Sequence, residues 1–256
     1  MINIILKDDL ELLLLSGLPI ELNIGNIYPL KLKDIVKLRY SKYNSYISLL
    51  LIDKSQLNNN NDNKDIDLNQ ITNFDIVFSS CLMDEQFRIS YFNMLEVFFK
   101  ETIQLGNGFF YFGNLIKNEL DGIGLESNRI IYKNNFNEIV NLLKQINSMK
   151  NKEENEFNPA NDKAKEIADR MKKAREKINK VKAKSGEDLS LSDLISAFAF
   201  YNKNTDLNSI FEMTIYQFNN QFQRMQLVNN YEISVQSLLH GADPKKVEIK
   251  NFITKL

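Results

Sequence analysis

Few residues of this chain carry the chemistry on which enzymes and metal sites usually depend. His240 is the only histidine and Cys81 the only cysteine, which excludes an intramolecular disulfide and argues against most histidine-based or cysteine-based sites. His240 precedes Gly241, an arrangement typical of a helix C-terminus. The two G-x-G sequences at 106–108 and 122–124 lack the further residues of a dinucleotide or phosphate-binding loop, so hairpin turns explain them better.

The carboxylates offer no defined catalytic pair either. The pairs at 8–9, 84–85 and 153–154 are adjacent in the sequence, so the two members would lie on different faces of a helix. A pair assembled from distant segments stays open, but no motif nominates one. We therefore expect a protein that is not an enzyme, with no catalytic residue, no metal and no cofactor.

Composition and charge narrow the class of partner. The chain has 256 residues, 43% of them hydrophobic and 25% charged, and a formal net charge of -1, which is ordinary for a soluble globular protein. Without a basic excess we expect no nucleic-acid partner. The run Leu12–Leu15 is far shorter than the roughly 20 residues of a membrane helix, so it predicts a buried core segment. No secretion signal is present, and we expect a cytoplasmic protein without a membrane partner.

Hydrophobic periodicity predicts a mainly α fold with a minor β part. Residues 1–148 form the predicted α+β N-terminal domain. The pattern predicts a strand from Ile20 to Ile24 that turns at Gly25, a helix after Pro29, and further strands at 109–112 and 129–132. The other predicted helices cover about 71–82, a stretch from Asp84 capped by Gly106, and a stretch from residue 136. The helix after Pro29 would pack through a stripe of apolar and aromatic residues: Leu32, Val36, Tyr40, Tyr43, Ile47 and Leu50.

Two segments have the composition of connectors. Residues 56–70 contain an asparagine run and predict an exposed low-complexity loop. Residues 149–187 are rich in charge, and their small apolar residues recur every three or four positions, which predicts a charged helical linker. The same stripe would also suit a partner helix or a short coiled coil.

Residues 188–256 form the predicted C-terminal domain, an all-α module. Ser190 or Ser192 caps its first helix, Thr205 or Asp206 begins a longer one, and a short helix ends at Gly241 before Pro244. The longer helix carries an apolar stripe of Leu207, Ile210, Phe211, Ile215, Phe218, Phe222 and Met225. From the sequence such a stripe fits either a core or a binding surface, and the core is the better default.

Several short motifs, taken in order, resemble a known family. They are the stretch 27–35 leading into 42–46, the stretch 135–140, and three motifs in the C-terminal part: 191–196, 213–218 and 239–243. Their order resembles the tail assembly chaperones encoded by phages and prophages of Gram-positive bacteria. Members of that family would carry an aromatic residue near the end of the chain, a role that Phe252 could fill here.

The resemblance implies a binding protein that solubilises the tape-measure protein during tail assembly and leaves when tail-tube subunits polymerise. It therefore implies tail proteins as partners, the tape-measure protein first, with homo-oligomers also open. The predicted contact residues are large apolar side chains of the C-terminal module and the linker: Phe211, Phe218, Phe222, Met225, Met171 and Ile178. The alternative function, which is structural and not that of an assembly chaperone, is a virion protein of the tail, neck or head that stays in the mature particle.

Overall fold

The structure is a computed structural model that describes residues 7–54, 71–113, 116–118, 122–124, 129–149, 189–202, 205–244, 247 and 249–254. It confirms a mainly helical fold with small antiparallel sheets. The predicted loop 56–70 and the predicted linker 149–187, apart from residue 149, lie outside the described residues.

Helices form most of the described chain. Those before residue 150 are α1 (Lys7–Ser16), α2 (Leu32–Leu38), α3 (Tyr40–Leu49), α4 (Asn73–Met83), α5 (Glu85–Phe99) and α6 (Phe136–Ile146). Those after residue 188 are α7 (Leu191–Tyr201), α8 (Leu207–Glu212) and the 25-residue α9 (Ile215–Leu239).

The strands are short and antiparallel. The hairpin of β1 (Ile20–Leu22) and β2 (Gly25–Ile27) pairs Ile20 with Ile27. A second sheet has the order β3 (Ile103–Leu105), β4 (Phe110–Phe112), β7 (Ile130–Ile131). A third pairs β5 (Ile116–Asn118) with β6 (Gly122–Gly124).

The first fifty residues correct three predictions. The turn between β1 and β2 lies at Asn23 and Ile24, and Gly25 already begins β2. In the leucine run only Leu14 is buried, because the short helix α1 turns Leu12 and Leu15 toward solvent.

The helix predicted after Pro29 is broken in two. Arg39 has a positive φ of 74°, which ends α2 and begins α3 in a new direction. The break changes which residues face inward, so that Val36 and Tyr40 are exposed. Leu32, Tyr43 and Leu50 are buried as expected, joined by Ile35 and Tyr46, which the continuous stripe did not include.

An aromatic core forms where α4 and α5 meet the second sheet. Asp84 caps α5 as predicted, with its carboxylate accepting hydrogen bonds from the amides of residues 86 and 87. Phe74 of α4 lies edge-on to Phe110 of β4, with ring centroids 5.6 Å apart, and Phe99 of α5 packs 4.6 Å from Phe112. The predicted cap at Gly106 is wrong, because α5 ends at Phe99 and the next residue takes the left-handed conformation.

Helix α6 closes this core through an apolar stripe whose spacing predicts Phe136, Ile139, Val140, Leu143 and Ile146 as inward residues, and the structure adds Leu142. Its buried residues are Phe136, Ile139, Val140, Leu142, Leu143 and Ile146. Just beyond its end, the buried side chain of Asn147 accepts a hydrogen bond from the hydroxyl of Tyr43 at 3.0 Å. Burial raises the pKa of Tyr43, so this hydroxyl stays protonated and keeps donating.

The described residues fall into two compact units. One contains the described residues of 1–149 and 211–256, and the other contains residues 189–202 and 205–210. Residues 211–256 belong to the first unit, in which hydrogen bonds join the start of α9 to the segment that precedes α2. Whether residues 188–256 fold alone as a fragment stays a prediction.

Candidate interaction surface

Helix α9 carries most of the predicted contact residues, and its N-terminus is firmly anchored. The hydroxyl of Thr214 accepts from the amide of Gln217, and the Gln217 side chain accepts from the amide of Thr214, which forms a capping box. The chain just before α9 also bonds to the segment before α2. The amide of Leu32 donates to the carbonyl of Met213 at 2.9 Å, and that of Ile215 donates to the carbonyl of Leu30 at 3.2 Å.

Charge reinforces this anchor at the surface. Both Lys31 and Lys33 donate to the Glu212 carboxylate, and the Lys31 Nζ lies 2.9 Å from its Oε2. These hydrogen bonds, first from Lys33 and then from Lys31, lower the pKa of Glu212 to about 2. All three side chains are exposed to water, so salt screens the contribution of these ion pairs to the stability of the fold.

The end of α1 forms the other side of the anchor. The Gln217 side-chain amide donates to the carbonyl of Leu15 at 2.8 Å. Gly17 follows with a φ of 69°, and a Cβ at this position would lie 3.0 Å from the Gln217 side chain and 3.2 Å from that of Thr214. Only glycine permits both this backbone conformation and this close approach.

The predicted contact residues separate by burial. Phe218 is fully buried, with 0% exposure, so it belongs to the core of the first unit and is not presented to a partner. Phe222, whose ring lies 5.9 Å from that of Phe218, is half-buried, as are Met225 and Phe211. Met171 and Ile178 lie outside the described residues.

The distal half of α9 exposes apolar side chains that the sequence analysis did not select. We use the name distal surface for the exposed apolar residues at this end of the helix and in the segment that follows: Ile233, Leu239, Ile249, Phe252 and Ile253. Leu239 is 80% exposed, and Ile253 is 77% exposed. The long helix predicted from Thr205 or Asp206 is divided at residues 213–214 into α8 and α9, because Thr214 caps a new helix, and α9 continues through the segment predicted as a separate short helix. The predicted stop is confirmed, with His240 as the C-cap of α9 and Gly241 at a φ of 90°.

The second unit also presents an aromatic side chain. Phe200 of α7 is 90% exposed, whereas Phe198 is buried. Residues two positions apart point to nearly opposite sides of a helix, so the sequence A-F-A-F-Y could have signalled one inward and one outward phenylalanine. Ser190 caps α7 as predicted, in a capping box with Asp193.

The side chains suited to chemistry are not brought together in the described part of the chain. No group of three or more His, Cys, Asp or Glu there could hold a metal ion. Cys81 is buried, which raises the pKa of its thiol to about 12 and keeps it in the unreactive thiol form. Among the described helices, none is both long and apolar enough to cross a membrane.

One comparison with known proteins gives a match. Residues 180–256 match the family model of the YomV second domain, a phage-derived family from a Bacillus prophage. No curated protein and no solved structure matches the chain. The match associates the C-terminal part of the chain with phage proteins, and it begins close to the boundary predicted at residue 188.

Proposed function

We propose that this protein is a non-enzymatic phage tail assembly chaperone, which binds the tape-measure protein in the cytoplasm of the bacterial host and keeps it soluble. The observation that supports this proposal is a coincidence within residues 180–256. The part of the chain that matches a phage-derived family also leaves Phe200, Leu239 and Ile253 in contact with water.

The physical demands of such a client fit these side chains. A long hydrophobic client that must later be released is best held by many weak apolar contacts, which dissociate quickly one by one. Exposed phenylalanine, leucine and isoleucine side chains among polar residues provide such contacts. The contact set proposed here therefore replaces the buried Phe218 with the distal surface and Phe200, and keeps the half-buried Phe211, Phe222 and Met225. Met171 and Ile178, which lie outside the described residues, stay predicted contacts.

Co-expression with the tape-measure protein of the same phage tests the proposal. We expect the wild-type chain to increase the soluble fraction of the tape-measure protein severalfold, and the double substitution Phe200→Ser with Leu239→Ser to remove most of that increase. The matched control is Gln226→Ala, an exposed polar position on α9. A tape-measure protein that stays equally insoluble with and without the wild-type chain would reject the proposal.

The alternative, a structural virion protein of tail, neck or head, makes the opposite prediction about the particle. Quantitative mass spectrometry of infected-cell lysate and of purified particles separates the two functions. A chaperone is abundant in the lysate and missing from particles, whereas a structural subunit is found in particles at a fixed copy number. Size-exclusion chromatography with light scattering on the same preparation reports whether the free protein forms homo-oligomers.

A further inference from the structure

The chain beyond α9 folds back onto that helix. We call residues 249–254 the return segment. Arg224 of α9 donates from Nη1 to the backbone carbonyls of both Phe252 and Thr254, the latter at 2.8 Å. The Phe252 ring packs edge-on against Tyr231, with ring centroids 5.5 Å apart and an angle of 69° between the ring planes.

The two α9 residues form one surface. Arg224 and Tyr231 are seven residues apart, which is two helical turns, so they lie on the same face of α9. The return segment matches this spacing with a compact turn. The amide of Thr254 donates to the carbonyl of Asn251 at 3.2 Å, and the amide of Ile253 donates to the Asn251 side chain at 2.9 Å. This turn directs two carbonyl oxygens toward one guanidinium group.

The return segment is seated but not buried. Phe252 remains 38% exposed, and the side chains of Ile249 and Ile253 are exposed as well. Little apolar surface is therefore removed from water when the segment docks, and hydrophobic stabilisation scales with the area removed. Contacts of this kind hold a segment that another peptide can displace.

We propose that the face of α9 formed by Arg224 and Tyr231 is a peptide-binding surface, which the return segment occupies in the free protein. The peptide that fits carries an aromatic side chain next to a turn or helix end with open backbone carbonyls. The aromatic side chain stacks edge-on against Tyr231, and the carbonyls accept from Arg224.

A labelled peptide tests this surface without any client. The probe is a fluorescein-labelled, C-terminally amidated peptide with the sequence of residues 247–256, and its binding to the full chain is followed by fluorescence anisotropy. In the double variant Asn251→Ala with Phe252→Ala, the return segment loses its turn and its aromatic ring, so it binds less well to the face of α9. Because a tethered segment competes at a high effective concentration, this variant should bind the peptide at least tenfold more tightly than the wild type.

Further substitutions locate the binding. Adding Arg224→Met or Tyr231→Ala to the double variant should weaken peptide binding at least tenfold, whereas adding Gln226→Ala, an exposed position on the opposite side of the same helix, should change it less than twofold. Circular dichroism checks that each variant keeps its helices. Equal affinity of the wild type and the double variant, or no binding to the double variant up to 1 mM peptide, would overturn the proposal.

A second measurement uses the absence of tryptophan from the chain. Phe252→Trp introduces a single reporter, and adding Tyr231→Ala should raise its quenching by acrylamide about twofold. Unchanged quenching would show that the ring is not seated on Tyr231 and would overturn the proposal. Since neither measurement contains the tape-measure protein, their failure would leave the chaperone function standing, and a failed co-expression would leave this surface standing.

Discussion

The two halves of α9 have similar residue types but different surroundings. In the proximal half Ile215 and Phe218 are buried, and the helix start is joined to Leu30, Leu32 and the end of α1. In the distal half, from residue 226 to Leu239, no side chain is buried although isoleucine, valine and leucine are present. The comparison shows that burial along this helix is set by the elements that reach it and not by its own apolar content.

The largest difference between the two halves should appear on truncation of a phenylalanine. Phe218→Ala removes a fully buried ring and should lower the free energy of unfolding by about 3–5 kcal/mol. Phe252→Ala, which truncates the same side chain at the distal surface, should cost about 1 kcal/mol or less. Urea unfolding of the full chain measures both, and similar losses for the two variants would contradict the comparison.

Two glycines provide a second test of the difference between the two ends of α9, with a smaller expected effect on stability. Gly17 and Gly241 both have positive φ, but the Cβ of an alanine would meet nothing within 4 Å at Gly241 and would crowd Gln217 at Gly17. Gly241→Ala should therefore lower the free energy of unfolding by about 1 kcal/mol, because only the strain of the left-handed backbone opposes the new side chain. Gly17→Ala should cost about 2 kcal/mol or more, because the anchor must also shift. Thermal unfolding that ranks Gly241→Ala as the more damaging would show that the anchor is not crowded.

The ion pairs of Lys31 and Lys33 with Glu212, beside the start of α9, should make a smaller contribution, which appears in the acid dependence of stability. The pKa of Glu212 is lowered from its ordinary 4.5 to about 2, so the ionised form is favoured in the folded state. Its contribution is complete above about pH 4.5 and is lost as the pH falls through about 2. Glu212→Gln should flatten the decrease in stability between pH 4.5 and 2 at low salt, and added salt should reduce the difference from wild type.

The matched control for this titration is Glu232→Gln on the distal half of α9. Glu232 is exposed and forms no salt bridge in the described part of the chain. Chemical unfolding of both variants across this pH range isolates the Glu212 contribution. An equal flattening in both variants would assign the acid dependence to the general charge of the chain.

The smallest effect is expected at Leu239, the more exposed of the two large apolar residues that α9 leaves in water, the other being Ile233. Leu239→Ser should change the free energy of unfolding by no more than about 0.5 kcal/mol, because this side chain is already in water. Differential scanning calorimetry measures this change directly. A loss of more than about 1.5 kcal/mol, the size expected for a buried leucine, would mean that the distal half is covered in solution.

Periodicity predicted the elements whose own sequence contains their signals. The capping residues Asp84 and Ser190, the inward stripe of α6 and the glycine stop at Gly241 are confirmed, because caps and periodic faces act within a few residues. The break at Arg39 was missed, since a non-glycine residue at positive φ leaves no sequence signature. The predicted cap at Gly106 failed because Lys100, without any glycine, ends α5 six residues earlier.

The candidate surface was predicted less well than the fold. The stripe from Phe211 to Met225 was found by its spacing, but spacing cannot tell whether a neighbouring element covers a given residue. Phe218 is covered and Phe200, which the spacing did not select, is open. The seating of the return segment depends on Arg224 and Tyr231, which are separated from Phe252 by more than twenty residues and a chain reversal.

By itself, the sequence determined which segments are helical, several of the residues at which helices begin or end, and that histidine and cysteine chemistry is nearly absent. These properties depend on residue type and on neighbours within one or two turns. Only the tertiary structure decided that α9 is held at its start by Leu30, Leu32 and the end of α1, and that no side chain of its distal half is fully buried. Which side chains are buried depends on contacts between residues up to two hundred positions apart, and no local pattern encodes them.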